Sequence, residues 1–152
     1  MSSKPRKGVV GWREWVRIPE FSDVAVKAKV DTGARTSALH AFGLELERDG
    51  SVITACFEFH PLQRSSREST RVRAEVIGFR QVRSSNGRSE TRPLVRTPIE
   101  VGGVAWPADI TLTSRDTMGF RMLLGRAAIA RRFLVDPGRS YLQNPDPLGD
   151  HH

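Results

Sequence analysis

The chain is predicted to fold as a mainly β, single-domain protein with one short helix near its C-terminal end. Three observations carry that prediction. Apolar and polar residues alternate in many short runs, such as Val24-Ala25-Val26-Lys27-Ala28-Lys29-Val30, the period-two pattern of half-buried strands. Asp49-Gly50, Asn86-Gly87 and Gly102-Gly103 each join two such runs, and these pairs readily adopt the positive φ that tight hairpins require. Residues 126–132 form the one credible helical stretch, opened by Gly125. A length of 152 residues suits one domain with a substantial core.

The elements follow in order. Residues 1–10, beginning Met1-Ser2-Ser3-Lys4-Pro5-Arg6-Lys7, are expected to be a disordered basic arm. Strands are expected over 11–18, 24–30, 39–47, 52–59, 72–82, 93–101 and 104–113, with the helix over 126–132 and a last strand over 133–135. Together these make a domain over 11–142, and 143–152 is expected to be a flexible tail. No internal repeat, heptad pattern or glycine-rich phosphate loop interrupts this order.

No apolar run approaches the roughly 20 residues that a membrane-spanning helix needs. The N-terminal arm also lacks the apolar stretch of a secretory signal. Cys56 is the one cysteine, so no intrachain disulfide forms and a reducing cytoplasm is the expected compartment. It lies within an apolar run and is expected to pack as a small hydrophobe. The net charge of +7 and pI near 10.7 point to an anionic partner. Twenty of the 24 basic residues are arginine, the side chain suited to bidentate recognition of carboxylate or phosphate. A coding bias that places arginine instead of lysine on solvated faces explains the count equally well.

Asp31 ends the run 24–30 and is followed by Thr32-Gly33-Ala34. A carboxylate there is costly to bury unless its neighbours hydrogen-bond it or its pKa shifts. Thr32 supplies a hydroxyl, and Gly33 lets backbone approach closely. Taken alone, the tripeptide reads as a strand-ending turn.

A second segment, Met122-Leu123-Leu124-Gly125-Arg126, lies near the other end of the chain. Together the two segments resemble the retropepsin-like aspartic proteases. The resemblance is closer to a bacterial group commonly labelled ATP-dependent zinc proteases. That group shares Gly11-Trp12-Arg13-Glu14, the run Asp31 to Leu39, Trp106-Pro107, Thr111 to Arg115 and Val135-Asp136-Pro137. The resemblance implies a closed β-barrel and a homodimer, since each chain carries one Asp-Thr-Gly and the reaction needs two carboxyls sharing a proton. Asp31 is then the catalytic acid and base. Thr32 bonds across the two-fold axis, Gly33 leaves room for substrate backbone, and Ala34 walls the cleft. Gly125 and Arg126 are structural. The flap expected in this fold falls on 61–70, with 84–89 as the competing segment.

Arg35 stands where retroviral members commonly carry an acidic residue that pairs with the arginine of the Gly-Arg motif. Arg126, if buried, must then pair with Asp109, Asp116 or Asp136. Arg35, Arg92, Arg96, Arg115 and Arg121 are candidates to line a cleft for acidic peptides, although solvated strand ends explain Arg96 better. His40 is a candidate to face the same cleft. The bacterial group is associated with ATP-grasp ligases that add glutamates, so a poly-glutamate tail is the implied substrate and such a ligase the implied partner. No cofactor is expected. For zinc, His40, Cys56, His60 and His151-His152 lack the spacing of a metal motif. A zinc-dependent peptidase and a basic module binding nucleic acid or ribosome are the alternatives. The second lacks any nucleic-acid-binding signature and leaves Asp31-Thr32-Gly33 unexplained. Trp12, Trp15 and Trp106 are expected in the core or at the dimer interface.

Overall fold

The structure, a computed structural model, describes residues 8–62, 67–83, 87–114 and 119–143. Its described elements run β1 (Gly8–Val10), β2 (Arg13–Val16), β3 (Val26–Asp31), β4 (Ser37–His40), β5 (Phe42–Asp49) and β6 (Val52–Phe59). They continue with β7 (Thr70–Glu75), β8 (Gly78–Arg83), β9 (Ser89–Val101), β10 (Val104–Thr113), β11 (Met122–Gly125), α1 (Arg126–Ile129) and β12 (Phe133–Val135). The fold is mainly β with one helical turn, as expected.

Three sheets share one core. The largest has the order β2-β3-β11-β4-β10-β9-β8, the second β5-β6-β7, and the third pairs β1 with β12. The seven-stranded sheet curls until β2 meets β9, where Arg17 and Glu100 exchange backbone hydrogen bonds at 2.9 and 2.8 Å. Val16, Leu39, Phe59, Ile99, Leu112 and Leu124 lie in the enclosed core, each fully buried. β3 shows how alternation builds it: Val26, Ala28 and Val30 turn inward while Lys29 is exposed.

All three hairpin signals join paired strands. Gly102 and Gly103, with φ of 59° and 83°, form the two-residue turn between β9 and β10. Counting by twos from Val101↔Val104 leaves Pro98↔Pro107 a non-hydrogen-bonded pair. Neither missing N–H is therefore demanded by the β9–β10 ladder.

Several expected boundaries move. The 39–47 strand is broken at Ala41 into β4 and β5, with Gly43 at φ 62° and a register shift between Phe42 and Glu45. The 72–82 strand divides at Val76-Ile77, which sends β7 and β8 to different sheets. The helix is shorter than expected: it ends at Ile129, because Ala130 turns extended at ψ 137°, and Arg131 follows at φ 72°. Gly8–Val10, expected in the basic arm, form β1 parallel to β12. Gln143, expected in the tail, is docked: its N–H donates to Glu14 Oε1 at 3.1 Å and its side chain to Val9 O at 2.7 Å. Residues 144–152 lie outside the described residues.

The Gly11-Trp12-Arg13-Glu14 segment explains that docking. Glu14 is fully buried and also accepts from Gly11 N–H at 2.7 Å and Leu142 N–H at 2.8 Å. A Cβ on Gly11 would collide with the Arg139 carbonyl, so glycine is required where the C-terminal strap crosses. Of the tryptophans, only Trp106 is in the core. Trp15 stacks on Tyr141 of the strap, and Trp12 meets Phe120 edge-on. Cys56 is buried, and that burial pushes its thiol pKa up.

Candidate active site

Asp31 is the last residue of β3 and sits in register with Gly125, the last residue of β11. β11 runs between β3, to which it is parallel, and β4, to which it is antiparallel. A connection that leaves β3, turns and returns as β4 must therefore wrap around the end of β11, and 31–37 is that turn. Asp31 Oδ1 accepts the Gly33 N–H at 3.0 Å, and Ala34 N–H donates to Asp31 O at 3.2 Å. This is an Asx-type turn, the local geometry that Asp followed by glycine favours.

The turn is bolted to β11 and α1 by backbone bonds. Arg126 N–H donates to Ala34 O at 2.8 Å and Ala127 N–H to Arg35 O at 3.0 Å. Gly125 N–H donates to Ser37 Oγ at 3.0 Å in a buried position. Thr111 Oγ1 in turn donates to Ser37 O at 3.2 Å. A Cβ on Gly125 would lie 2.7 Å from the Thr36 carbonyl carbon, so the crossing admits only glycine. Arg126 is exposed and reaches back over the turn, its Nη1 3.2 Å from Gly33 O and 3.4 Å from Thr32 O. Its expected acidic partners are otherwise engaged or undescribed. Asp109 pairs with Arg96, Asp136 accepts the Gly138 N–H, and Asp116 lies outside the described residues. Because Arg126 is exposed, backbone carbonyls suffice and no buried ion pair is needed.

A cleft of about 380 Å³ opens on Asp31. Asp31, Gly33, Ala34 and Arg35 line it from the turn, Arg80 to Arg83 from β8, and Arg92 and Thr111 from β9 and β10. Asp31 is the one acidic side chain among its described lining residues, against Arg35, Arg80, Arg83 and Arg92. Arg92 is buried, and its Nε donates to Glu90 Oε1 at 2.9 Å. Thr32 is exposed beside the cleft.

Other sequence candidates lie elsewhere. His40 is buried and stacks on Phe42, which stacks in turn on His60, with centroid separations of 3.9 and 3.8 Å. The Arg121 guanidinium lies 4.5 Å from the Phe42 ring centre. Neither His40 nor Arg121 lines the Asp31 cleft. Arg96 does not line the Asp31 cleft; it is bridged to Asp109 at 2.7 Å in the neighbouring hollow. Arg115 lies outside the described residues. Of the two flap candidates, Glu68 to Thr70 line a separate hollow with residues 19–24. The strand leading into 84–89 lines the Asp31 cleft instead, although Ser84 to Asn86 are outside the described residues. Among the described residues no group of three His, Cys, Asp or Glu side chains is placed to hold a metal ion. No described helix is long and apolar enough to cross a membrane.

Sequence reading missed Ser37, Thr111, Arg80 and Arg83. Ser37 and Thr111 stand inside the motif runs 31–39 and 111–115, so a signal existed. Arg80 and Arg83 had none, because only the β8–β9 pairing brings them to Asp31.

A strand-ending Asp-Thr-Gly turn, wrapped around a Gly-Arg strand in a curled mainly β sheet, defines the retropepsin-like class. The family model described as retropepsin-like aspartic endopeptidase RimB matches residues 9–146, and the chain belongs to this RimB-like family. Relatives bearing the name "Probable alpha-L-glutamate ligase" include proteins of Shewanella pealeana, 43% identical over 136 residues, and of Desulfotalea psychrophila, 43% identical over 138 residues. These alignments cover 89% and 90% of this chain. The chain spans only 30% of the length of either relative. A solved structure of a Legionella pneumophila protein of unknown function superposes with a TM-score of 0.73, covering 91% of this chain and 100% of that one. At 22% identity, that likeness speaks for the fold alone.

Proposed function

We propose that the chain is a cytoplasmic aspartic peptidase that works as a homodimer on acidic, glutamate-rich peptides or protein tails. The observation that carries this reading is the Asp31 carboxyl, held in a hydrogen-bonded turn on a cleft whose other charged residues, among those described, are all arginines. One carboxyl cannot serve as both base and acid in the same step. A second copy supplies the other, across a two-fold axis running between the two turns. The ionised Asp31 takes a proton from water as the water oxygen bonds to the scissile carbonyl carbon. The partner subunit's Asp31, protonated, gives its proton to the carbonyl oxygen. Collapse of the tetrahedral diol then returns a proton to the leaving amide nitrogen and breaks the C–N bond. Two carboxyls so close cannot both ionise, which keeps one proton between them.

β8 is the outermost strand of its sheet, so among the described residues no strand pairs with its outer side. An extended substrate can add to it as a further strand, with the β8–β9 hairpin as the flap that excludes water. Arg35, Arg80 and Arg83 favour acidic side chains there. The relatives' name concerns proteins of which this chain matches less than a third. On this reading the ligase chemistry named for those relatives lies in the part that this chain does not match, and this chain acts beside such a ligase by removing residues that it adds.

The test is Asp31→Asn. The variant should remain folded and dimeric by sedimentation while hydrolysis of oligoglutamate peptides falls at least about a thousandfold. Full activity in Asp31→Asn, or activity abolished by a chelator, would refute the aspartic mechanism.

A further inference from the structure

A second chamber of about 430 Å³ adjoins the Asp31 cleft and shares Arg35, Thr36 and Arg80 with it. Its other walls are the Trp106–Asp109 stretch of β10, the α1 turn and Arg132. Four guanidinium groups (Arg35, Arg80, Arg96 and Arg132) line it against one described carboxylate, Asp109. Arg96 is committed to that carboxylate, donating from Nε and Nη2 at 2.7 and 3.2 Å. The chamber therefore keeps an excess of positive charge after its internal pair is counted.

Arg132 is not a freely sweeping surface side chain. Its guanidinium sits 4.9 Å from the centre of the Trp106 ring, a cation–π contact that holds the planar fork in place. Trp106 is itself only 6% exposed and packs against Phe133. Arg80, from β8, borders both cavities and so joins them. A pre-oriented guanidinium loses less freedom on binding a carboxylate than a mobile one does.

We propose that this chamber is an outer specificity subsite. It takes a second carboxylate of the same acidic chain, farther from the scissile bond than the residues held beside Asp31, with Arg132 and Arg80 as the anion-binding groups. The inference rests on the peptidase reading above, but its prediction concerns binding. An extended peptide advances about 3.3 Å per residue, so a peptide that fills the Asp31 cleft must carry further residues to fill the adjoining chamber as well. The site should therefore prefer long acidic chains.

The experiment measures binding of fluorescein-labelled oligoglutamates of about three and about eight residues to the full chain carrying Asp31→Asn, by anisotropy. The longer peptide should bind more tightly, and adding Arg132→Gln should shrink its advantage about fivefold. Arg71→Gln, at a side chain 82% exposed on β7 and lining neither cavity, serves as the charge control and should leave that advantage intact. Equal weakening of both lengths, no effect of Arg132→Gln, an equal loss with Arg71→Gln, or no length preference at all would overturn the proposal. Hydrolysis by the unsubstituted chain is followed in parallel. Its absence, with length-dependent binding intact, would count against the peptidase reading and leave the subsite standing.

Discussion

Replacing Gly125 by alanine would put a methyl group where the backbone of the Asp31 turn already runs. The added Cβ would lie 2.7 Å from the Thr36 carbonyl carbon, 2.8 Å from its oxygen and 2.9 Å from the Arg35 oxygen. Ordinary contact begins near 3.4 Å, so β11 and the turn must separate by about 0.7 Å. All three obstructing atoms are backbone, and no side chain can swing away. Overpacking of this kind costs about 1–3 kcal/mol. The same separation stretches the buried 3.0 Å bond from Gly125 N–H to Ser37 Oγ, and an unsatisfied buried N–H costs a further 1–3 kcal/mol, roughly. A total of about 2–6 kcal/mol lowers Tm by roughly 4–24 °C in a chain of this size. Circular-dichroism melts of Gly125→Ala and Ser37→Ala, with peptide hydrolysis followed alongside, make the assay. Ser37→Ala removes only the hydrogen-bond contribution and should fall less. A Gly125→Ala protein melting within about 2 °C of its parent, with undiminished activity, would refute the close crossing as the support of the Asp31 turn.

Two further outcomes follow from the packing of Glu14 and Asp109. Glu14→Ala leaves the N–H groups of Gly11, Leu142 and Gln143 without their acceptor; it should destabilise by at least about 3 kcal/mol and speed amide exchange at Leu142 and Gln143, whereas Glu14→Gln, which keeps one oxygen, should be milder. Asp109 titrates below its ordinary value because Arg96 hydrogen-bonds it, so the stability from this pair is present above the unfolded carboxylate range and is lost as pH falls through the lowered folded value; Arg96→Gln should move the Asp109 titration upward by carboxyl NMR, and an unmoved midpoint would contradict the bridge.

How far the site was legible varies residue by residue. Asp31, Thr32 and Gly33 could be read because an Asx turn is a local event, made within three residues. Gly125 could be paired with them only through the family resemblance, since its need for glycine arises from a backbone more than eighty positions away in the chain. Arg126 was expected to seek a carboxylate, yet it is exposed and finds the turn's own carbonyls. His40 was expected to face the cleft, but it is buried and stacks on Phe42, just past the end of β4. The arm and tail looked disordered because Gly8–Val10 and Gln143 are stabilised by each other's neighbourhood: β12 pairs with β1, and the buried Glu14 binds the strap.

The sequence by itself determined the strand-rich class, the three hairpins, the Asp-Thr-Gly turn and the arginine excess, because each depends on residues adjacent in the chain or on simple counting. Only the tertiary structure decided that β11 threads between β3 and β4, that Arg80 and Arg83 line one cleft with Asp31, and that a second basic chamber adjoins the first. Those features depend on which strands pair. Pairing is set by the burial of a shared core, whose contacts join residues that no local pattern connects.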